Sequence, residues 1–479
     1  MTITSYSPPD KGQIVLAAEE LKTLLARRAS TSESVREHHS KGESYHPAAF
    51  PDIVCFPHTT EEVSEILQIA SKYRLAVVPF GSGSSVEAQV NAIHGGISID
   101  MREMNRILRI NPEDLNATVE AGVTKLQLNK ALLNTGMAFF VDPGADCTIG
   151  GMASTRASGT TTVRYGTIRE NVLGMTVVLP DGTVINTGTR APKSAAGYDL
   201  THLFIGSEGT LGVITELIVR LHPLPEAISV ACCSFETIKD AVEAAIETIQ
   251  LGIAVARMEL LDEAQIDANN RFSKTDFPVY PTLFLEFHGA SVQSVREQAE
   301  VVRQLTEEHA AKKFQWVTDA VERDALWKMR HDALYAALAL RPGSKAFITD
   351  VCVPISRLAE CILASKADVA HAPFPATLVG HVGDGNFHML FMLDPENPAE
   401  LAEALRIEEK IIRRALEMEG TSTGEHGIGY GRKDFLVTEH GRAVGVMQAI
   451  KSALDPENRM NPGKMFGANA PPDKLSNDG

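Results

Sequence analysis

The stretch 380–388 most constrains what this chain can fold into, because it combines a tight-turn signal with two histidines. Asp384 and Gly385 lie between two apolar runs, and an Asp-Gly pair in that position is a strong signal for a β-hairpin. If these two residues form the turn, His381 lies opposite His388, and opposed Cβ atoms are roughly 4.5–5.5 Å apart. The two imidazoles could then bind one divalent metal. The alternative is a pair of hydrogen-bonded histidines in a surface hairpin.

A second cluster of chemical groups follows at Glu425 and His426, within the glycine-flanked run GEHGIG. Glu425 could complete a site of two histidines and one carboxylate, which leaves coordination positions open for a substrate. His426 could then act as a general base beside the metal. Taken alone, the run fits a glutamate at a helix terminus followed by a loop histidine.

Two cations upstream, Arg330 and Lys345, could bind the carboxylate of a substrate. Arg330 lies on a helix predicted at 320–339, and Lys345 begins a strand predicted at 345–353. An arginine that points into a pocket with a metal can bind a carboxylate in bidentate fashion. Each residue alone would be read as a surface cation, so it is their conjunction with the histidines that points to a site.

Three glycine-rich stretches, at 80–85, 143–166 and 206–212, have the small residues needed for close backbone approach to a large ligand. The first is a weak signal by itself, since it lacks the lysine of a Walker A loop. The second is long, rich in hydroxyl groups and too rich in glycine for a helix. No complete G-x-G-x-x-G follows a predicted strand, so NAD is not the expected ligand.

The composition fits a soluble chain of more than one domain. A length of 479 residues suits two or three domains, and 44% apolar residues can form sizeable cores. The net charge of −16 argues against a nucleic-acid partner. The N-terminus lacks the pattern of a secretory signal, and the six cysteines are dispersed like free thiols. We therefore expect a cytoplasmic location, at most with peripheral contact at the inner face of the membrane.

The distribution of helix, strand and glycine-rich signals along the sequence predicts four segments. Residues 1–47 look like an N-terminal helical segment, and 48–224 combine strand and helix signals with the glycine-rich stretches. Regular alternation of strands and helices over 225–455 indicates a layered domain of ferredoxin-like type, which would carry the metal site. The segment 456–479 follows as a separate C-terminal piece.

Taken together, these motifs resemble the vanillyl-alcohol oxidase type of flavoproteins. The glycine-rich stretches resemble its flavin-binding domain, whereas HVGDGNFH, GEHG and MNPGK resemble its D-lactate dehydrogenase branch. Other members of that branch are D-2-hydroxyglutarate dehydrogenase and the glycolate oxidase flavin subunit. The resemblance covers about residues 48–466. It implies an α+β fold with a two-subdomain FAD-binding domain, a ferredoxin-like substrate (cap) domain and a C-terminal helical segment that returns to the FAD domain.

The resemblance also implies roles for the candidate side chains. A divalent metal, zinc or manganese, would be bound by three residues: His381, His388 and Glu425. The proton of the substrate hydroxyl would pass to His426. Substrate binding would fall to Arg330, Lys345 and Asn386.

The implied cofactor is FAD. Its attachment is expected to be non-covalent, because Ser84 and Ser85 stand where some relatives carry a histidine that bonds to the flavin. The residues that would contact FAD are Gly81, Ser82, Gly83, Ser84, Ser85, Pro143, Thr148, Gly150, Gly151, Ser154, Ser158, Gly159, Tyr165, Gly166, Glu208, Gly209, Gly212, Ile214 and Asn461.

The implied reaction is the oxidation of a D-2-hydroxy acid, D-lactate to pyruvate in the first place, with hydride transfer to the flavin. A cytochrome, a quinone or an electron-transfer protein would reoxidise the flavin, and the chain could form a homodimer. D-2-Hydroxyglutarate and glycolate are alternative substrates, although Leu334 stands where the hydroxyglutarate enzymes carry a threonine. A metal-independent flavin oxidase and a flavin-bound sensor without turnover also remain open.

Overall fold

The computed structural model describes residues 3–466, and within that range no helix is long and apolar enough to cross a membrane. The α-helices, in chain order, are α1 Lys11–Leu25, α2 Glu33–His38, α3 Thr60–Lys72, α4 Lys125–Leu132, α5 Ile149–Thr155, α6 Thr162–Tyr165, α7 Ile168–Asn171, α8 Leu200–Phe204, α9 Ile238–Gln250, α10 Glu263–Ser273, α11 Val292–Glu308, α12 Ala320–His331, α13 Ala333–Ala339, α14 Leu358–Val369, α15 Pro398–Glu417, α16 Lys433–His440 and α17 Ala443–Leu454. The strands are β1 Ala29–Ser30, β2 Ile53–Cys55, β3 Val77–Phe80, β4 Ile97–Asp100, β5 Ile107–Asn111, β6 Asn116–Glu120, β7 Met137–Ala138, β8 Val172–Val178, β9 Val184–Asn186, β10 Val213–Arg220, β11 His222–Pro223, β12 Ala227–Ser234, β13 Val255–Leu261, β14 Thr282–Gly289, β15 Lys313–Val317, β16 Lys345–Ile348, β17 Val351–Cys352, β18 Ala376–His381 and β19 Asn386–Leu393.

The chain divides into two compact units. Within the described residues, unit 1 contains 3–157, 167–223 and 425–466, and unit 2 contains 158–166 and 224–424. This division differs from the sequence-based one, which placed 425–455 in the second domain. Part of the reason is a pair of buried contacts within unit 1, from Arg432 Nε to Glu87 Oε1 at 2.9 Å and from Lys451 Nζ to the Thr210 carbonyl at 2.8 Å. Of the C-terminal segment, residues 467–479 lie outside the described residues.

Unit 1 contains two main sheets. One has the order β1-β2-β4-β3, with β2, β4 and β3 parallel, and the other is antiparallel with the order β5-β6-β10-β8-β9. The helix α3 links β2 to β3 and begins after Thr59, whose side chain accepts a hydrogen bond from the Glu62 N–H. Its apolar stripe of Val63, Ile66 and Leu67 is fully buried. Burial of each such side chain contributes about 1.5–3 kcal/mol.

Unit 2 is built on a single sheet of eight strands. Their order is β15-β12-β14-β13-β18-β19-β16, and β17 also pairs with β19. The regular alternation of strands and helices predicted over 225–455 begins with the strands β12, β13 and β14. They are nearly continuous runs of buried residues, which explains why the sequence signal was strong.

The strand predicted at 345–353 is broken into β16 and β17, and this break positions polar groups. Thr349 lies in the break, where its hydroxyl oxygen accepts a hydrogen bond from the Met389 N–H at 3.0 Å. Its carbonyl oxygen accepts a hydrogen bond from His388 Nδ1 at 2.9 Å. The interruption therefore places a backbone acceptor directly against one of the candidate metal ligands.

The hairpin of β18 and β19 is present, but its predicted register is wrong. His381 pairs with Asn386, and His388 pairs with Val379. The connection is a four-residue loop, 382–385, closed by a hydrogen bond from the Asp384 N–H to the His381 carbonyl at 3.0 Å. Because the two histidines are displaced by two positions, an even number, their side chains still share one face of the sheet.

The expectation that 143–166 is too rich in glycine for a helix is also wrong, since the stretch contains α5 and α6. The helix α5 begins after Thr148, whose side chain accepts a hydrogen bond from the Gly151 N–H. A Cβ on Gly150 would lie 2.6 Å from Ala121 Cβ. Glycine is therefore required here for close packing of a helix rather than for an irregular loop.

Candidate functional site

The two histidines of the hairpin form the centre of the candidate site in unit 2. The ring centroids of His381 and His388 are 5.6 Å apart, and the ring planes are nearly perpendicular at 83°. Both side chains are buried, with 10% and 6% of their side-chain surface exposed. Two buried imidazoles at this separation could bind a common ligand between them.

Each of the two imidazoles is held through its own Nδ1 atom. His381 Nδ1 lies 2.6 Å from Glu259 Oε1, and His388 Nδ1 lies 2.9 Å from the Thr349 carbonyl oxygen. Carboxylate and carbonyl oxygens accept hydrogen bonds, so each Nδ1 carries a hydrogen, and a neutral ring in this tautomer has its lone pair on Nε2. Metal-binding histidines have this arrangement of one anchored nitrogen and one coordinating nitrogen.

Glu259 joins His381 to Arg330. Its second oxygen, Oε2, accepts hydrogen bonds from Arg330 Nε at 2.9 Å and Arg330 Nη2 at 2.6 Å. Burial alone would raise the pKa of Glu259, but His381 and Arg330 hold the pKa below its ordinary value. Glu259 is therefore an ionised carboxylate that is fully buried between an imidazole and a guanidinium.

Asn386 and Asp350 form a polar cluster beside the histidines. Asn386 Nδ2 donates hydrogen bonds to Asp350 Oδ1 and to the Val351 carbonyl, both at 2.8 Å. Asn386 Oδ1 is buried and has no hydrogen-bond partner within residues 3–466. A Cβ on Gly424 would come within 2.2 Å of Asn386 Nδ2, so the backbone of Gly424 lies directly against this amide. Glu425 is the next residue in the chain.

In unit 1, the segment that contains Glu425 and His426 is anchored through its backbone. Gln89 Nε2 donates a hydrogen bond to the His426 carbonyl at 2.7 Å. The N–H groups of Ile428 and Gly429 donate to the two carboxylate oxygens of Glu208 at 2.7 and 2.8 Å. Burial raises the pKa of Glu208 to about 7, although these two N–H groups lower it.

The first two glycine-rich stretches meet in unit 1. The Thr148 N–H donates a hydrogen bond to Ser82 Oγ at 2.8 Å, and Ser84 Oγ lies 3.2 Å from Cys147 Sγ. A Cβ on Gly81 would come within 2.5 Å of Thr148 Oγ1. The predicted FAD contacts on these two loops are therefore neighbours in space.

The third stretch and the C-terminal motif join the same part of unit 1. The Glu208 N–H donates a hydrogen bond to the Ser154 carbonyl at 2.8 Å. Asn461 Nδ2 donates to the carbonyl oxygens of Glu208 at 2.8 Å and Gln89 at 2.9 Å. Four separate parts of the sequence that were predicted to contact FAD are thus brought together.

The predicted FAD contacts at 158–166 are placed differently, because this piece belongs to unit 2. Tyr165 Oη lies 2.7 Å from His288 Nδ1, and Arg164 Nη1 donates a hydrogen bond to the Ala254 carbonyl at 2.5 Å. Ser158, Gly159, Tyr165 and Gly166 therefore belong to unit 2, and their contact with FAD stays a prediction.

The structure does not bring Lys345 to the histidines. Lys345 is exposed and pairs with Leu393, which follows His388 by five residues on β19. At about 3.3 Å per residue, the two positions are roughly 16 Å apart along the strand. An odd separation also places them on opposite faces of the sheet. Its position does not support the predicted role of Lys345 in substrate binding, which stays a prediction.

Sequence reasoning missed Glu259 and Asp350. Glu259 is the single carboxylate of strand β13, which also contains Arg257, and Asp350 lies within the strand predicted at 345–353. A charge in a buried strand requires a partner. That requirement was the available signal, but it does not identify the partner.

Comparisons with known proteins agree with the flavoprotein resemblance. A model described as "FAD binding domain" matches residues 51–188, and one described as "FAD linked oxidases, C-terminal domain" matches residues 224–465. The resemblance inferred from the motifs is confirmed.

Similar proteins include two D-lactate dehydrogenases. A probable mitochondrial D-lactate dehydrogenase of Danio rerio is 49% identical over 91% of this chain and 88% of its own length. The mitochondrial D-lactate dehydrogenase [cytochrome] of Arabidopsis thaliana is 45% identical over 93% of this chain and 79% of its own length. The solved structure of p-cresol methylhydroxylase with substrate bound has a TM-score of 0.79 at 18% identity, over 96% of this chain and 98% of that chain. This likeness confirms the expected fold.

The expected cytoplasmic location is wrong. The relatives from Danio rerio and Arabidopsis thaliana are both named as mitochondrial proteins. The expectation was based on the lack of a recognisable leader, and an absence of that kind does not identify a compartment.

Proposed function

Because the chain belongs to the FAD-linked oxidases and is therefore an FAD-dependent oxidoreductase, we propose that it oxidises D-lactate to pyruvate with the help of a divalent metal. A cytochrome is the proposed electron acceptor, by analogy with the name of the Arabidopsis thaliana relative. The observation that carries the metal-assisted form of this proposal is the anchoring of both hairpin histidines through Nδ1. That pattern prepares each Nε2 as a metal ligand.

FAD is proposed to bind non-covalently along the loops of unit 1. The residues present fit this role, since the small side chains at Gly81, Ser82 and Ser84 permit close approach of the backbone to a ligand. Turns of this kind present backbone N–H groups that suit a pyrophosphate. FAD, when bound, accepts the hydride, and the protein supplies orientation.

The proposed metal ligands are His381, His388 and Glu425, and zinc or manganese is the proposed ion. Support for Glu425 comes from its bond to Gly424, whose backbone lies against Asn386 on the same hairpin. Two imidazoles and one carboxylate leave coordination positions open. A divalent cation, when bound there, lowers the pKa of a coordinated hydroxyl group.

The side chains of the site have complementary tasks in this proposal. Arg330 binds the substrate carboxylate with the part of its guanidinium that Glu259 does not hold. Asn386 Oδ1, a buried acceptor, receives a hydrogen bond from the substrate. His426 removes the proton of the substrate hydroxyl. Fixing the substrate in this way can contribute about 7–11 kcal/mol to catalysis.

The test of the reaction is an anaerobic absorbance spectrum of the purified protein before and after addition of one substrate at a time. Bleaching of the flavin band by D-lactate, but not by L-lactate, is the expected result. Bleaching only by D-2-hydroxyglutarate or only by glycolate would identify that acid, instead of D-lactate, as the substrate. A flavin that no 2-hydroxy acid reduces would refute the proposed reaction.

His388→Ala tests the metal ligands. We expect the variant to lose most of the bound metal in elemental analysis while it keeps its flavin, because one of three proposed ligands is removed. His371→Ala is a matched control in the same unit, since His371 is exposed. Full metal content in His388→Ala would exclude the hairpin as the metal site.

A further inference from the structure

We propose that Glu259 is a positioning residue that couples the substrate-binding arginine, Arg330, to the metal ligand His381. The inference rests on the proposed function and adds a residue that the sequence motifs do not contain. Its basis is that the two oxygen atoms of the Glu259 carboxylate contact different residues. Oε1 lies 2.6 Å from His381 Nδ1, and Oε2 accepts both hydrogen bonds from Arg330, at 2.9 and 2.6 Å.

Glu259 is held so that both contacts persist together. It lies on β13, a strand with β14 on one side and β18 on the other. The residue is fully buried, at 0% exposure, as are the neighbouring Leu260 and Leu261. A carboxylate in such a position has no water to replace either partner, and an unpaired buried charge is strongly unfavourable.

Each contact has a separate consequence for the site. The Oε1 contact keeps the hydrogen of His381 on Nδ1, so that Nε2 carries the lone pair for a metal. The Oε2 contact holds the Nε and Nη2 groups of Arg330, which fixes the plane of the guanidinium and therefore the direction of its remaining donors. The Glu259 side chain thus determines both which nitrogen of His381 carries the lone pair and how the Arg330 guanidinium is oriented toward a substrate carboxylate.

The same sheet contains a second buried glutamate that provides an internal comparison. Glu286 on β14 lies 2.8 Å from His288 and 3.7 Å from Arg257, but it contacts His288 through Nε2. The other ring nitrogen of His288 lies 2.7 Å from Tyr165 Oη. The Glu286 contact therefore uses Nε2 of its histidine, whereas the Glu259 contact uses Nδ1, the nitrogen through which the protein holds a histidine that coordinates a metal through Nε2.

The experiment compares Glu259→Gln with Glu286→Gln in the full-length, flavin-loaded protein. A glutamine has one acceptor and one donor end, so it cannot accept from both His381 and Arg330. We expect the affinity for Zn²⁺, and separately for Mn²⁺, to fall about 10–100-fold in Glu259→Gln, as measured by competition with a chelating indicator. Glu286→Gln should keep the wild-type metal affinity.

A second readout separates positioning from general structure. At saturating metal, we expect Glu259→Gln to raise KM for D-lactate more than it lowers kcat, because Arg330 loses its orientation while the flavin is untouched. Glu259→Asp, which keeps the charge but is shorter, should show smaller changes in the same directions. It also serves as the test if the glutamine variant does not fold.

The outcomes distinguish this inference from the function on which it rests. Wild-type protein that binds no metal, or whose flavin D-lactate does not reduce, would refute the proposed function. Wild-type protein that does both, together with a folded Glu259 variant of unchanged metal affinity and KM, would refute only the role of Glu259. Equal losses in Glu259→Gln and Glu286→Gln would also refute it, because they would indicate a general effect of removing a buried charge.

Discussion

Replacing Gly385 with alanine tests the geometry of the loop that joins the two strands of the hairpin. Gly385 has a φ of +78°, a left-handed conformation that costs an L-residue about 1–2 kcal/mol. The added Cβ would lie 2.1 Å from the Val353 carbonyl oxygen. That carbonyl belongs to a residue whose N–H donates a hydrogen bond to the Gly385 carbonyl at 3.0 Å. Because both partners are backbone, the loop itself must move by about 1 Å to reach an ordinary contact.

We expect Gly385→Ala to lower the free energy of unfolding by about 2–5 kcal/mol, from the backbone conformation and about 1–3 kcal/mol of overpacking. Gly343→Ala is the matched control in the same unit. Gly343 has a φ of +87°, but no atom of the described residues lies within 4 Å of the Cβ that alanine would add. The difference between the two variants in urea denaturation therefore measures the clash alone.

The same displacement should reduce activity, because His381 and Asn386 flank the loop directly. A shift of about 1 Å can cost about 100-fold in rate, so we expect that loss in kcat/KM for D-lactate with Gly385→Ala. Gly343→Ala should remain close to wild type. If the two variants agree within about 0.5 kcal/mol in stability and also in kcat/KM, the close contact between Gly385 and Val353 is refuted.

Two further predictions concern unit 1. Arg432→Met leaves the buried carboxylate of Glu87 without the guanidinium 2.9 Å away and should lower the free energy of unfolding by about 3–5 kcal/mol. Adding Glu87→Leu should recover most of that loss in urea denaturation, and a double variant as unstable as the single one would contradict this. The pKa of Glu208, raised by burial to about 7, means that the folded protein holds this proton more tightly than the unfolded chain. Stability from this group is therefore complete below about pH 4.5 and declines by about 3 kcal/mol as the pH rises through 7. Glu208→Gln should flatten the dependence of unfolding free energy on pH over that interval, and an unchanged slope would contradict the assignment.

Regular elements could be predicted from the sequence where local signals suffice. The helix α15, Pro398–Glu417, is an example from the region where alternating strands and helices were predicted. It begins after Asn397, whose side chain accepts a hydrogen bond from the Ala399 N–H, and proline stands at its first position. Both signals are local, so no knowledge of the tertiary fold is needed.

The hairpin is an element whose presence, but not whose register, could be predicted from local signals. Asp384 and Gly385 correctly predicted a turn, but they did not fix its length, which depends on the hydrogen bond from the Asp384 N–H to the His381 carbonyl. The two histidines still share a face, because the error in register is an even number of residues. The position of Lys345 could not be predicted in this way. The face of the sheet on which Lys345 lies depends on the pairing of β16 with β19, a strand more than 40 residues away in the sequence.

Glu259 shows what the sequence can indicate without being able to specify it. A single carboxylate within an apolar strand must have a partner, because an uncompensated charge is not tolerated in a core. His381 is 122 residues away, and Arg330 is 71 residues away. The first is brought to Glu259 by the pairing of β13 with β18, in which Leu260 lies opposite Gly380. That pairing is a property of the whole sheet, so the sequence predicts that Glu259 has a buried partner, whereas only the fold identifies the partners as His381 and Arg330.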